Sequence, residues 1–85
     1  MYYVYVLYSL KDKGMYIGQT IRLIQRMKQH QFGKVTSTRS RRPLVLVYWE
    51  GVSTRGDALN LESEWKTSSG RRYLRRRITI RVLKR

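Results

Sequence analysis

The stretch YYVYVLYSLKDKGMYIGQ, residues 2–19, decides the fold of this chain. It begins with Tyr2–Leu7, a run rich in aromatic and β-branched residues, which is typical of a β-strand. Ser9–Gly14 is a polar turn that ends on glycine, and Met15–Gln19 indicates a second strand. Residues 1–19 are therefore predicted to form an antiparallel β-hairpin with a loop longer than the tightest type.

A helix is predicted directly after the hairpin. Thr20 is a good N-cap for it, and Gly33 is a good stop signal. Apolar side chains recur behind the cap at helical spacing, namely at Ile21, Leu23, Ile24 and Met27. A second row, at positions i, i+4 and i+8, is cationic and consists of Arg22, Arg26 and His30. We also expect the dipole at the end of this helix to stabilise a protonated His30.

The middle of the chain contains one further strand. Lys34–Arg42 is predicted to be a polar, basic loop that Pro43 closes. Leu44–Glu50 is the most strand-like stretch of the sequence, so we predict that it is the central strand and that Gly51 ends it.

The last third is predicted to be mainly helical. Thr54 and Asp57 make a plausible capping box for a helix over Arg55–Lys66. The apolar face of this helix consists of Ala58, Leu61 and Trp65. Ser68–Gly70 is predicted to break the chain before a short helix at Arg71–Arg77. Polar and apolar residues alternate over 79–83, a pattern that suits a short strand or an ordered tail.

These elements define an α+β fold of the order ββαβα. We predict a small three-stranded, mainly antiparallel sheet flanked by two or three helices. Residues 1–77 would form the single domain, and residues 78–85 a basic C-terminal tail.

Length and composition exclude several classes of protein. A chain of 85 residues forms one small core, which excludes a dinucleotide-binding fold or a TIM barrel. The absence of cysteine excludes disulfide scaffolds, cysteine zinc fingers, iron–sulfur sites and thiol catalysis. A single histidine cannot build a His-rich metal site. No stretch suits a membrane span or a signal peptide, so we expect a soluble, cytoplasmic protein without membrane contact.

Charge is the strongest compositional signal. Nineteen Lys and Arg against five Asp and Glu give a net charge of +14. Such a charge opposes compaction unless a polyanion relieves it, and the usual polyanion is nucleic acid. The hydrophobic content of 41% argues against a wholly disordered basic tail. The sequence therefore indicates a folded basic module, which is compatible with a binding protein or an enzyme.

Cleavage of phosphodiesters commonly uses a metal ion with oxygen ligands, so the carboxylates are the first candidates. There are five: Asp12, Glu50, Asp57, Glu62 and Glu64. The first three are explained by a turn, a strand end and a helix cap. At roughly 100° per residue, Glu62 lies about 45° from the apolar centre of its helix and Glu64 about 115° from it. Glu62 therefore faces the sheet from the edge of the core, although a boundary carboxylate paired with an arginine gives the same pattern.

Seven tyrosines raise a second question. Tyr3 and Tyr5 share one face of the first strand, Tyr2 points to the other, and Tyr16 lies on the facing strand. One interpretation is cross-strand aromatic packing. The other is that Tyr5 and Tyr16 converge beside Arg26, whose charge would lower a phenol's pKa and favour proton abstraction from water. The cationic row is likewise either a solvated or phosphate-contacting face, or part of a catalytic site.

Taken in order, the motifs resemble a known family. YVY at residues 3–5, YIG at residues 16–18, RMKQH at residues 26–30 and the helical Glu62 resemble the GIY-YIG nuclease superfamily, above all its small single-domain, UvrC-like members. The resemblance covers residues 1–77, including the segments RRPLVLVYWE and ALNLESEWKTSSGRRYL. The first motif differs from the family pattern in reading YVY.

The resemblance implies metal-dependent cleavage of DNA. A single Mg²⁺ or Mn²⁺ ion would be held by Glu62, with water and substrate phosphate as its other ligands. Arg26 would stabilise charge on the scissile phosphate. One motif tyrosine would activate water with help from His30; we favour Tyr5 as the base and Tyr16 as an orienting hydroxyl. Gly18 would allow close approach of the backbone to the site.

DNA is the expected partner, and its phosphates would be bound by many cations. Those expected to do so are Arg22, Lys34, Arg39, Arg41, Arg42, Arg71 and Arg72. Specificity would come from DNA structure, as in repair or recombination, from a targeting protein, or from an arginine tail with little sequence preference. The alternative function is a catalytically inactive basic module that binds nucleic acid, with a ribosome-associated protein as a third possibility.

Overall fold

The predicted hairpin is present and lies at one side of the sheet. A computed structural model describes the backbone of residues 1–83 and the side chains of residues 1–78. Strand β1 (Tyr2–Ser9) pairs antiparallel with β2 (Met15–Thr20) and, along its other edge, with β3 (Leu44–Val52). The sheet therefore has the order β2-β1-β3, and the α+β prediction is confirmed.

The prediction that the third strand is central is wrong, because β1 holds that place. Residues 4–7 of β1 are all buried, since both faces of this strand are covered. On β3, by contrast, Val45 is 42% exposed and Trp49 is 48% exposed. The strand also continues through Gly51 to Val52. Apolar residues on β3 therefore mark a surface of the protein as well as its core.

The two faces of the sheet pack against different parts of the chain. Val4 and Val6 of β1 point into the hydrophobic core, and Tyr2 packs against it, while Tyr3 and Tyr5 lie on the opposite face, as predicted. The buried core cluster consists of Val4, Val6, Ile17, Tyr48, Ala58, Trp65 and Leu74. The last three of these residues come from two helices that cover this face, α3 (Arg55–Trp65) and α4 (Ser68–Leu83). The Tyr5 face is left to helix α1 (Leu23–Gln31).

Helix α1 (Leu23–Gln31) starts later than predicted. Its N-cap is Arg22, whose N–H donates to the hydroxyl of Thr20 at 3.1 Å, so Thr20 turns the chain before the helix instead of capping it. Gly33 lies just after the end of the helix, as predicted for its stop signal. Its backbone is in the left-handed region, with φ of +74°. None of the predicted apolar row is buried: Ile21 and Ile24 are exposed, Ile24 by 76%, and Leu23 and Met27 are half-buried.

One helix precedes β3 in the chain and another follows it. A short helix α2 (Thr36–Arg39) lies within the predicted basic loop. Helix α3 (Arg55–Trp65) follows the prediction closely, since the Thr54 hydroxyl accepts from the N–H of Asp57 at 3.1 Å.

The end of the chain differs from the prediction. A single helix α4 (Ser68–Leu83) replaces the break, the short helix and the alternative of a short strand. Gly70 does not break the chain; it lets α4 pack directly on α3, because a Cβ atom there would overlap the carbonyl oxygen of Glu64. The helix continues across the predicted boundary at residue 77, and residues 84 and 85 of the predicted tail lie outside the described residues. Within residues 1–83, no helix has both the length and the apolar character needed to cross a membrane.

This packing gives a test of the fold. Gly70→Ala should lower the free energy of unfolding by about 1–3 kcal/mol, because the added methyl group must push α4 away from α3. The matched control is Gly56→Ala in α3, where the nearest atom to an added Cβ is 3.9 Å away and a small gain in stability is expected. Urea denaturation of both variants makes the comparison, and equal stability of the two would contradict the packing.

Candidate active site

A cleft of about 440 Å³ runs along the edge of β2 that has no strand partner within residues 1–83. Helix α1 contributes side chains from one face of the sheet, and α3 and α4 contribute them from the other. Four of the five predicted catalytic residues line this cleft, namely Tyr5, Tyr16, Arg26 and Glu62. The fifth, His30, is buried behind Tyr5. The structure thus brings together side chains that are far apart in the sequence.

Strand register explains how the two tyrosines meet. Tyr5 pairs across the hairpin with Gly18, and Tyr16 lies two residues earlier on the same face of β2. The Tyr5 and Tyr16 rings have centroids 6.4 Å apart. A Cβ atom at Gly18 would lie only 2.6 Å from the Tyr5 hydroxyl oxygen. Gly18 therefore makes room for the Tyr5 ring, a more specific reason for glycine than the predicted approach of the backbone.

The Tyr5 hydroxyl is held inside the protein by a hydrogen-bond chain. The residue is 1% exposed, and its oxygen lies 2.8 Å from Nε2 of His30. Nδ1 of His30 lies 2.7 Å from the Thr38 hydroxyl, which α2 places beneath the imidazole ring. No buried side-chain nitrogen or oxygen among the described residues lacks a partner. Sequence reasoning missed Thr38, because a threonine in a polar loop carries no signal of such a contact.

The hydrogen-bond chain accommodates a definite histidine tautomer. With the Thr38 hydroxyl donating to the carbonyl oxygen of Val35 at 3.5 Å, its oxygen accepts from Nδ1 of His30. Nε2 is then unprotonated and accepts from the Tyr5 hydroxyl. The Tyr5 oxygen in turn accepts a long hydrogen bond of 3.5 Å from Nε of Arg26. In this arrangement each donor of the chain has an acceptor, and the Tyr5 proton points inward.

The pKa values of Tyr5 and His30 differ from the prediction. Burial raises the pKa of Tyr5 above its ordinary value and outweighs the hydrogen bond from Arg26, which acts in the opposite direction. Burial, together with the charge of Arg26, lowers the pKa of His30 to about 4. The predicted lowering of a phenol pKa by Arg26 therefore does not prevail at Tyr5. With this low pKa His30 is neutral near pH 7, so the positive charge of the predicted cationic row comes from its two arginines, Arg22 and Arg26.

Tyr16 is the more accessible phenol of the cleft. Its side chain is partly exposed, and its oxygen accepts a long hydrogen bond of 3.4 Å from the Ser37 hydroxyl. Its ring contacts the His30 ring edge to face, with centroids 5.4 Å apart. The structure thus gives the two tyrosines distinct environments: Tyr5 is buried and hydrogen-bonded at the wall of the cleft, whereas Tyr16 is partly exposed to solvent in the cleft.

Glu62 is the carboxylate of the cleft. Its side chain is 20% exposed, and Oε2 accepts from Nζ of Lys66 at 2.7 Å one turn further along the chain. The predicted alternative of a paired boundary carboxylate is thus also present, with a lysine as the partner. Glu64 is exposed and does not line the cleft, as its position on the helical wheel indicates.

A divalent ion would have one protein carboxylate here. Among the described residues there is no cluster of three or more His, Cys, Asp or Glu side chains. Mg²⁺ tolerates such a site, since it keeps several waters and takes phosphate oxygens as further ligands. Glu62 therefore fits the role of sole protein ligand, and an ion there would compete with Lys66 for the same oxygen.

The predicted phosphate-binding cations are divided by the fold. Arg41 and Arg71 line the cleft, and Arg22 lies in an adjoining pocket with Arg26. Arg41 is also bound to Asp12 through two hydrogen bonds, which tie the hairpin turn to the basic loop. The remaining predicted cations are exposed but do not line the cleft; they are Lys34, Arg39, Arg42 and Arg72. Lys66, which sequence reasoning did not select, lines the cleft beside Glu62.

Comparison with known proteins gives the same assignment as the motifs. The family model described as the GIY-YIG catalytic domain matches residues 1–76. The chain belongs to the GIY-YIG family. This is a nuclease family, and the predicted resemblance is confirmed.

Three proteins similar to this GIY-YIG chain carry the name UPF0213. A UPF0213 protein from Staphylococcus haemolyticus is 39% identical over 75 residues, which cover 87% of this chain and 90% of that protein. A UPF0213 protein from Lactiplantibacillus plantarum is 41% identical over 71 residues, which cover 80% of this chain and 69% of that one. The solution NMR structure of a UPF0213 protein from Bacillus halodurans matches with a TM-score of 0.53 and 33% identity, covering 87% of this chain and 82% of that chain.

The fit of Tyr5 against Gly18 can be tested by one methyl group. Gly18→Ala should lower the free energy of unfolding by about 1–3 kcal/mol, because the ring it displaces is buried and hydrogen-bonded. The control is Gly14→Ala in the same hairpin, where an added Cβ meets the ends of the ion-paired Arg41 and Asp12 side chains, which can shift at the surface, so a smaller loss is expected. Chemical denaturation measures both, and a Gly18→Ala variant as stable as the control would refute the contact.

The buried His30 makes stability depend on pH. Its pKa is about 4 in the folded protein against an ordinary value of 6.5, so the folded state disfavours the proton that the unfolded chain binds. Stability should be complete above pH 6.5 and fall as the pH decreases towards 4, by about 3 kcal/mol at most. Asp12, whose pKa is lowered to about 2, loses its charge below this range.

Urea denaturation between pH 8 and pH 4 measures this slope, and His30→Gln should flatten it. Because the chain has one histidine, NMR can follow its titration without ambiguity. A histidine that titrates near pH 6.5 in the folded protein would contradict the arrangement.

Proposed function

We propose that this protein is a cytoplasmic, divalent-metal-dependent DNA endonuclease or nickase that hydrolyses phosphodiester bonds in the cleft beside β2. The observation that carries the proposal is that Tyr5, Tyr16, Arg26 and Glu62 line one cleft, although they come from four different elements. Membership of a nuclease family supports the reaction class. The net charge of +14 supports DNA as the substrate.

Glu62 is proposed to hold the metal, as Mg²⁺ or Mn²⁺. When bound, such an ion stabilises the charge that develops on the phosphate and polarises its oxygens. Lys66 would then exchange its contact with Glu62 for one with a phosphate oxygen, since its ammonium already lines the cleft. Both groups of this ion pair would thereby take part in binding the substrate.

Arg26 is proposed to bind the scissile phosphate. Its Nη1 donates to Oε1 of Gln29 at 3.0 Å, which orients the guanidinium towards Tyr5 and the cleft. A guanidinium has five N–H donors in a fixed plane, so the others can donate to phosphate oxygens. Its permanent charge counters the negative charge that grows on the phosphate during hydrolysis.

The tyrosines and His30 are proposed to manage the water. In our preferred assignment, Tyr5 takes a proton from the attacking water while its own proton passes to Nε2 of His30 across the 2.8 Å hydrogen bond. The raised pKa of Tyr5 and the lowered pKa of His30 both disfavour transfer of a proton from water to this pair. The charges of Arg26 and the metal would therefore have to favour the transfer by making the water more acidic. Tyr16, with its accessible hydroxyl, would orient the water or a phosphate oxygen.

The substrate is proposed to be DNA of unusual structure, such as nicked or branched DNA in repair or recombination. The cations of the cleft contact phosphates, which position DNA without reading its sequence. Selectivity would then come from the shape of the DNA or from a targeting protein.

The decisive experiment compares two neighbouring glutamates. Supercoiled plasmid is incubated with protein and Mg²⁺ or Mn²⁺, and nicked product is measured by gel electrophoresis. Glu62→Gln should slow nicking roughly 100-fold or more, because it removes the charged ligand. Glu64→Gln, which changes an exposed carboxylate on the same helix, should leave the rate unchanged. EDTA should abolish nicking by the wild type.

The alternative function, a basic module that binds nucleic acid without cleaving it, predicts a different result. In that case no DNA substrate is nicked under any metal condition, and Glu62→Gln alters neither DNA binding nor DNA integrity. Nicked, branched and flapped substrates are included, so that a structural requirement is not mistaken for inactivity.

A further inference from the structure

An apolar groove of about 730 Å³ lies between α1 and β3, on the side of α1 opposite to the catalytic cleft. Trp49 of β3 is 48% exposed there and meets Tyr3 edge to face, with ring centroids 5.8 Å apart. The helix adds Ile24 and Met27 to the lining. The proposed mechanism uses none of these side chains, and large exposed aromatic and aliphatic side chains grouped in this way indicate a binding surface.

The groove is continuous with the cleft around the N-terminal end of α1. Arg22 and Gln25 line both the groove and a smaller pocket. Gln19 and Arg26 line both that pocket and the cleft. Three adjoining depressions of the surface, bordered by Arg22 and Arg26, therefore connect the candidate active site with Trp49.

Strand register gives the shortest distance that this path has to cover. Gly18 pairs with Tyr5, and Tyr5 pairs with Trp49, so the three residues form one row across the sheet. Two strand spacings separate Gly18 from Trp49, which is about 10 Å. Because the path runs around α1, a stacked DNA strand that follows it spans at least about three nucleotides.

We propose that the groove binds unpaired bases of a DNA strand whose scissile phosphodiester lies in the cleft. This inference rests on the proposed function and specifies its substrate class, which is DNA with a single-stranded segment next to the bond that is cut. The backbone of the strand passes Arg26 and Arg22, and a base beyond them stacks on Trp49.

The chemistry of the groove favours a nucleic acid over a protein partner. Its charged lining residues are Arg22 and Lys28, and no acidic residue lines it within the described part of the chain. Aromatic side chains beside cations are the recurring platform for single-stranded DNA, since every base has a face that can stack. A second copy of the chain is disfavoured as the occupant, because two molecules of charge +14 repel each other.

The test measures binding without cleavage. In EDTA, fluorescence anisotropy gives the affinity of the protein for a labelled single-stranded oligothymidine and for a blunt duplex of equal length. Trp49→Ala should weaken binding of the single strand roughly tenfold and leave duplex binding within twofold. Trp49→Phe should restore most of the affinity, because a phenyl ring can still stack. Phe32→Ala, which removes an aromatic side chain that is 67% exposed and outside the groove, should have no effect.

A second variant protects the test against a failure to fold. Ile24 is 76% exposed, so Ile24→Glu should fold normally, and its carboxylate should repel the strand and weaken single-strand binding. Circular dichroism checks the fold of both variants.

Three results would overturn the inference: unchanged single-strand affinity in Trp49→Ala and Ile24→Glu, an equal loss for single strand and duplex, or a wild-type dimer that these variants convert to a monomer. The last result, measured by light scattering, would assign the groove to a second copy of the chain. Because the assay contains no metal, failure here leaves the nicking experiment intact. Conversely, loss of single-strand affinity in a protein that cuts no DNA would support the groove and refute the proposed reaction.

Discussion

The hydroxyl of Tyr5 is the point on which the rest of the site depends. It is enclosed by the backbone of β2 at Gly18 and by His30 and Arg26 of α1. These contacts hold α1 to the sheet at His30 and place Nε of Arg26 beside the Tyr5 hydroxyl. It also requires α2, because Thr38 supports the far side of the imidazole. One buried phenol therefore joins the hairpin, the first helix and the basic loop into one unit.

Much of the fold follows from local sequence patterns. The hairpin is encoded by two β-rich runs around a polar turn, and α3 by a threonine cap followed by apolar residues at helical spacing. The identity of four cleft residues followed from a motif order, whose physical basis is the strand register that opposes Tyr5 to Gly18. Position on a helical wheel also separated Glu62 from Glu64, because packing of Ala58 and Trp65 fixes the rotation of α3.

What the sequence did not predict depends on contacts between distant elements. The apolar run of β3 suggested a central strand, but β3 lies at the edge of the sheet. One of its large apolar side chains, Trp49, lines a surface groove instead of the core. Gly70 looked like a break because a glycine weakens a helix, whereas here α3 lies too close for any side chain. The charge state of His30 could not be read from its place near a helix end, since burial and the neighbouring charge of Arg26 both disfavour the protonated imidazole.

The outer edge of β2 has no strand partner within residues 1–83, and this has a consequence for the behaviour of the protein in solution. Unpaired N–H and C=O groups along a strand can recruit the edge of another sheet and so begin aggregation. Here that edge runs beside Arg26, Lys66 and Arg71, whose like charges keep a second molecule away. Salt screens such repulsion. High ionic strength, the usual means of stripping nucleic acid from a basic protein, therefore weakens its colloidal protection, and a bound polyanion or moderate salt is the better condition for concentrating it.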